Sequence, residues 1–332
     1  MEQTQSRSIE GHTELGEHKW WAIPLLIVIL VIGGYLRFTH LDWDDYKWIH
    51  PDESHMQQML GKIHTPDSGS FFEDIAIYFD THRSPLNERN SGDRYSYGTL
   101  PLFLVRFTAE GLDQMCDSLH EASLEPSKAF ASVQGDVYDR LCHGDRFTGY
   151  RSKLVGRLLS ATADMGTILV VYFIGRRLGG DLTGLLAANL TAVTAFLIQQ
   201  AHFFTVDSTM CFFMTVAAYF AVRASRTGEW SSFALAGLSS GLAAACKISG
   251  VLVSLMVALA AAVWLWQQEP SRRWWGLWNA ILRLAVAGVL CLIAFRVTNP
   301  YAFEGPDFFG VEISPEWRAN MESLLHVQSS DW

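Results

Sequence analysis

Apolar residues gather in seven runs, the last six separated by short connections. They are Trp20–Phe38, Leu154–Ile174, Thr183–Phe203, Thr205–Ala224, Ser232–Cys246, Ile248–Trp266 and Leu277–Thr298. Most are near the length at which a helix crosses the hydrocarbon core, and all are too continuous for period-two strands. The pattern predicts an all-α polytopic membrane protein with about seven transmembrane helices. The first run has its only charge at Arg37. It is too long, and no small-residue site follows it, for a cleaved signal peptide.

Between the first two runs lies a polar segment, residues 39–152, too long to be structureless in a compact protein. It predicts a large, partly helical loop domain. Within it Tyr97–Phe107 is apolar but short, which suits a helix lying at the membrane surface. Thr65–Ser70 and Ser84–Asp93 carry turn residues and mark connections. The expected organisation is a tail over 1–19, a first span over 20–38, the loop domain over 39–152, six further spans over 153–298 and a tail over 299–332.

Basic residues set the orientation. Arg176-Arg177, Arg223 with Arg226, and Arg272-Arg273 fall in alternate connections, as cytoplasmic loops should. The N-terminus is then cytoplasmic, and the loop domain and C-terminal tail are extracytoplasmic. The tail's six acids against Arg318 alone fit that side. In a chain of net charge −9, the loop domain holds 19 Asp and Glu against 10 Lys and Arg. No concentrated basic face is available for nucleic acid, so that partner class is excluded. Composition agrees with the membrane assignment: 49% of the 332 residues are hydrophobic, with 12 Trp and 20 Phe.

Five cysteines are present; Cys211, Cys246 and Cys291 fall in spans, while Cys116 and Cys142 share the loop domain, where they can pair or remain free. Gly237 and Gly241 have the spacing that lets membrane helices approach closely.

Candidate chemistry sits at one membrane face. His50-Pro51-Asp52-Glu53 follows the first span by a dozen residues. Those four residues are also a good helix start, with proline first and acids in the first turn. Arg157 opens the second span, Asp207 follows the third, and Lys247 ends the fifth, all on the extracytoplasmic side. Singly, Arg157 and Lys247 can snorkel to lipid phosphates and Asp207 can cap a helix. Asp164, two turns below Arg157, suits a hydrogen bond inside the bundle. Jointly, two acids and two cations at one interface suit transfer from a lipid-linked phosphate donor. A carboxylate takes the acceptor's proton and fixed cations stabilise the departing phosphate.

These residues resemble the GT-C glycosyltransferases, polytopic enzymes that use polyprenyl-phosphate sugars, and in particular the protein O-mannosyltransferases and the family 39-like phospholipid-carrier-dependent branch. The resemblance is carried by His50–Glu53, the Tyr97–Phe107 stretch with Pro101, Gly156–Ala161, His202–Ser208 and Lys247–Gly250. The tail from Asn299-Pro300-Tyr301 to Phe308-Phe309-Gly310 looks like bacterial members, which implies a bacterial plasma membrane. The resemblance implies an inverting transferase with Asp52 as catalytic base and Glu53 beside it. It also implies Arg157 and Lys247 on the donor phosphate, and Asp207 with His202 as a second acidic site. The implied partners are membrane lipid and a polyprenyl-phosphate sugar.

Full members of the family carry further spans, so a partner membrane chain supplying the remainder, or a non-catalytic scaffold or lipid-binding subunit built on the same core, are the alternatives. A divalent metal is left open: Asp52, Glu53, Asp207, His50, His55 and His202 offer suitable ligand types.

Overall fold

The computed structural model describes residues 20–45, 47, 49–88, 95–124 and 131–330. The expected tail over 1–19 and the end of the Ser84–Asp93 connection lie outside these residues. Each of the seven apolar runs is helical. They form α1 (Ala22–Phe38), α6 (Ser152–Gly179), the pair α7 (Asp181–Val193) and α8 (Ala195–Ala201), and α9 (Val206–Thr227). Next come α10 (Trp230–Cys246), a 3-10 turn (Ile248–Val253) leading into α11 (Ser254–Trp266), and α12 (Arg273–Thr298). The chain is an all-α polytopic membrane protein. Among the described residues, Ser152–Gly179, Ile248–Trp266 and Pro270–Thr298 are each long and apolar enough to cross a membrane, and the bent pair α7 and α8 together has the length and composition of either a broken span or a re-entrant loop. α1 and α10 are apolar but only 17 residues long, and α9 is diluted by Asp207, Arg223 and Arg226.

The third run differs from expectation. It is not one helix: α7 and α8 meet at Thr194 with a bend of 60°. A break at membrane depth frees backbone carbonyls that lipid cannot satisfy. Arg37, at the end of α1, supplies the missing donors. Its guanidinium reaches Ala192 O at 2.8 Å and Thr191 O at 3.2 Å, while its Nε binds Asp164. Arg37 and Asp164 are both buried. Asp164 therefore has the intrabundle role expected of it, with a partner from the first span.

Small residues set the helix spacing elsewhere. A Cβ on Gly237 would lie 2.1 Å from Ala287 O, and one on Gly241 would lie 2.2 Å from Cys291 O. α10 thus meets α12 backbone to backbone, as the glycine spacing predicts. Buried alanines on α9, α10, α11 and α12 continue that seam.

The loop domain contains α2 (Pro51–Leu60), α3 (Phe71–Phe79), α4 (Leu100–Ser123) and α5 (Ala131–Leu141). From Leu100 onward the Tyr97–Phe107 stretch is the beginning of α4. Leu102, Phe103 and Val105 are buried against Met56, Tyr95 and Tyr301, so this helix packs into a core instead of resting only on lipid. A disulfide joins Cys116 to Cys142 and ties α4 to the end of α5.

After α12 the chain makes a short 3-10 turn and a two-stranded antiparallel hairpin, β1 (Phe303–Glu304) with β2 (Glu312–Ile313), and ends in α13 (Pro315–Ser330). The last turn of α12 and this tail are bonded to the loop domain. Tyr78 donates to Val297 O at 2.7 Å, Thr81 donates to Phe303 O at 2.9 Å, and Thr99 donates to Thr298 O at 2.7 Å. The loop domain therefore sits as a cap on the ends of α6, α9, α10 and α12, with its core continuing into Val155, Phe204 and Val206.

Candidate active site

Proline at the start of α2 and acids in its first turn fix the helix here, and its two faces then separate Asp52 from Glu53. Glu53 and Gln57, one turn apart, bond to Arg157 and Ser152 of α6; His55 and Met56, a turn on from Asp52, pack against Tyr95. The two acids consequently live in different surroundings.

Glu53 is 1% exposed. Its carboxylate takes a two-pronged bond from Arg157, with both contacts at 2.7 Å, and the Phe204 N–H at 2.8 Å. Lys153, one turn before Arg157, lies 3.6 Å away. Asp44 completes the cluster, accepting from Arg157 at 2.9 Å and from Lys153. Two carboxylates and two cations thus neutralise one another in a dry site at the junction of loop domain and bundle. Burial alone would raise the Asp44 carboxyl, but the hydrogen bonds and charges of Arg157 and Lys153 outweigh it and hold the pKa below the ordinary value.

This geometry bears directly on Arg157. Its five N–H donors are all engaged: two with Glu53, two with Asp44 and one with the Leu41 carbonyl. Its side chain is fully buried. No donor is left for a lipid phosphate, so the expected phosphate contact is replaced by an internal one. Asp44 and Lys153 were not singled out from sequence. The available signal was the four-residue spacing of Lys153 and Arg157, which places both cations on one helical face.

Asp52 is partly exposed and lies beside Tyr97. Burial, the Asp52 charge and hydrogen bond, and more weakly Asp207 push the Tyr97 phenol well above its ordinary value. Lys247 stands over the Tyr97 ring, its Nζ 5.7 Å from the centroid, and approaches Asp207 at 3.4 Å. Lys247 and Asp207 are 40% and 37% exposed, so both reach solvent. Lys247 occupies an extended residue between α10 and the following 3-10 turn. Asp52, Asp207 and Lys247 are therefore brought together around Tyr97, with Arg157 lying behind them through Glu53.

The remaining candidates do not converge. His202 is held by backbone, its Nδ1 2.8 Å from Ile198 O and its Nε2 3.1 Å from Thr39 O. His50 packs on Phe203 with ring centroids 4.5 Å apart, and His55 stacks on Tyr95. With Glu53 in the buried cluster and the three histidines on separate partners, the six residues named from sequence do not form one group. No group of three His, Cys, Asp or Glu placed to hold a metal occurs among the described residues.

Comparison with known proteins gives a family. The model for dolichyl-phosphate-mannose-protein mannosyltransferases matches residues 130–308, more than half of the chain. No curated protein matches. Among solved structures, the apo oligosaccharyltransferase of Archaeoglobus fulgidus matches with TM-score 0.48 and 14% identity, over 95% of this chain and 40% of that one. The chain thus spans well under half the length of that protein.

Proposed function

Because the chain belongs to the dolichyl-phosphate-mannose-protein mannosyltransferase family, within the GT-C superfamily, we propose that it transfers a sugar from a polyprenyl-phosphate donor to an acceptor hydroxyl. The observation that carries this reading is the partly exposed trio of Asp52, Asp207 and Lys247 around Tyr97, at the end of the helix bundle where the loop domain caps it.

Asp52 is the general base. Its carboxylate takes the acceptor's proton as the acceptor oxygen bonds to the anomeric carbon. The bond from that carbon to the phosphate oxygen breaks, and the electron pair leaves with polyprenyl phosphate. Attack from the face opposite the leaving group inverts the anomeric centre. Lys247 is the cation for the departing phosphate, where fixed positive charge is most effective. Asp207 holds the Lys247 ammonium at the helix break. Glu53 and Arg157 act behind the site by fixing the start of α2, and His202 anchors α8 to the end of α1.

The site belongs to the extracytoplasmic side on two grounds. A disulfide within the same loop domain suits an oxidising compartment. The basic pairs lie at the opposite ends of the helices: Arg176 and Arg177 close α6, whose first turns hold Lys153 and Arg157, and Arg226 closes α9, whose first turn holds Asp207. Cysteines placed at Ser68 and Ser271 should label from outside and inside respectively with a membrane-impermeant maleimide. The reverse result would overturn the orientation.

Activity is tested with the full chain in liposomes and a radiolabelled polyprenyl-phosphate mannose. The expected result is transfer of label to an acceptor hydroxyl with release of polyprenyl phosphate. Donor binding without release, in the presence of acceptor, would favour a lipid-binding subunit over an enzyme.

A further inference from the structure

We propose that the seam between the C-terminal ends of α6 and α9 binds the headgroup of an anionic phospholipid, with Arg177, Tyr219 and Arg226 as its contacts. The proposal is independent of the transferase reading, because it concerns the end of the bundle opposite the loop domain.

Three arginines at that end are answered by acids. Arg176 pairs with Asp181 at 2.8 Å, Arg223 pairs with Glu229, and Arg272 lies 3.8 Å from Glu269. Arg177 and Arg226 have no ion pair among the described residues. Packing of α6 on α9 nevertheless brings them together, for Arg226 donates to the backbone carbonyl of Arg177. Neighbouring guanidinium cations repel each other, and a shared anion relieves that repulsion. The carbonyls at a helix end attract cations, which accounts for the Arg226 contact. They do not account for the Arg177 guanidinium, which bonds to no carbonyl among the described residues.

That guanidinium also points against the usual direction. Its Nε lies 3.4 Å from the Tyr219 hydroxyl, and its Cζ 5.2 Å from the centroid of the Tyr219 ring. Tyr219 stands seven residues before Arg226 on α9, about 10 Å back along the helix towards the bilayer interior. An arginine at the end of a span ordinarily snorkels outward to water; Arg177 reaches inward. Its cation and that of Arg226 thus stand at two depths, and guanidinium forks match phosphate oxygens. Beside them the surface turns apolar. Phe173 is exposed and packs on Tyr219 with ring centroids 6.2 Å apart, and Leu178 is exposed as well. Cations followed by an apolar track suit a headgroup and its chain, whereas a soluble anion would use only the cations. Asp181, Glu229 and Glu269 are taken by other arginines, so they offer no partner to the ammonium of a zwitterionic headgroup.

The test offers the full chain in detergent equal amounts of phosphatidylglycerol and phosphatidylcholine and reads the retained lipid by native mass spectrometry. Wild type should retain the anionic lipid about tenfold over the zwitterionic one, and Arg177→Gln with Arg226→Gln should bring that ratio to about one. Arg223→Gln with Arg272→Gln removes the same charge from the same end but leaves the seam intact. Its ratio should stay within about twofold of wild type. Arg226 is exposed, so Arg226→Gln alone guards against a misfolded double variant. It should lower the ratio about threefold at an unchanged melting temperature. A ratio near one in wild type, or an unchanged ratio in Arg226→Gln, overturns the proposal. An equal loss in the Arg223 and Arg272 variant does so too, since it makes the effect that of a diffuse basic end. Displacement of the lipid by a large molar excess of inorganic phosphate would make the seam a soluble-anion site instead, and equally overturns it.

Discussion

Asp52→Asn is expected to lower turnover by about 10²–10⁴-fold, the usual contribution of a positioned general base, while polyprenyl-phosphate binding stays within about twofold of wild type. Asparagine keeps the shape, so the start of α2 survives. It cannot take up the acceptor's proton. Donor affinity is spared because Lys247, the cation assigned to the phosphate, remains paired with Asp207 and over the Tyr97 ring. The loss therefore belongs to the transition state and should appear in kcat. Label release from a radiolabelled donor, measured beside equilibrium binding of the unlabelled lipid phosphate, checks both halves. Wild-type turnover in Asp52→Asn would remove this carboxylate from the mechanism. Loss of turnover together with loss of binding would give it a role in holding the donor instead.

The sequence made the helices legible because a membrane-length apolar run has few alternatives to a helix. It did not show the break at Thr194. The run from Thr183 to Phe203 has no proline, and the donors that make the break tolerable come from Arg37, about 155 residues earlier in the chain. Asp52, Asp207 and Lys247 could be picked out because charges at span ends are costly and fall on one face. Tyr97 could not, since a tyrosine in an apolar stretch looks like any other packing residue. Asp44 was hidden for the opposite reason: it stands among Asp42 and Asp45 in an acidic loop and resembles solvated surface. Its burial depends on Lys153 and Arg157 arriving from α6, a contact that spacing along the chain does not reveal.

Arg157→Ala should act on the fold first. Among the described residues, Asp44 and Glu53 would be left with Lys153 as their one cationic partner, in a site where all four charged groups are now buried. Removing one member of a buried ion cluster strands the rest without water, which typically costs about 3–5 kcal/mol. The expected result is a markedly lower melting temperature in nanodiscs and loosening of α2, with activity lost as a consequence. Arg157→Lys should recover little, because a single ammonium cannot reproduce the two-pronged bond to Glu53 and the pair to Asp44.

Acid should find the same weak point. The folded Asp44 pKa lies below its unfolded value, so its stabilisation is present above the unfolded pKa of about 3.9 and fades as pH falls through the lower folded one. A contact to the donor phosphate predicts something different: an Arg157→Ala protein that melts like wild type but binds polyprenyl phosphate weakly. Thermal unfolding and lipid-phosphate binding measured on the same preparation separate the two, and unchanged melting with weakened binding would return Arg157 to the donor site.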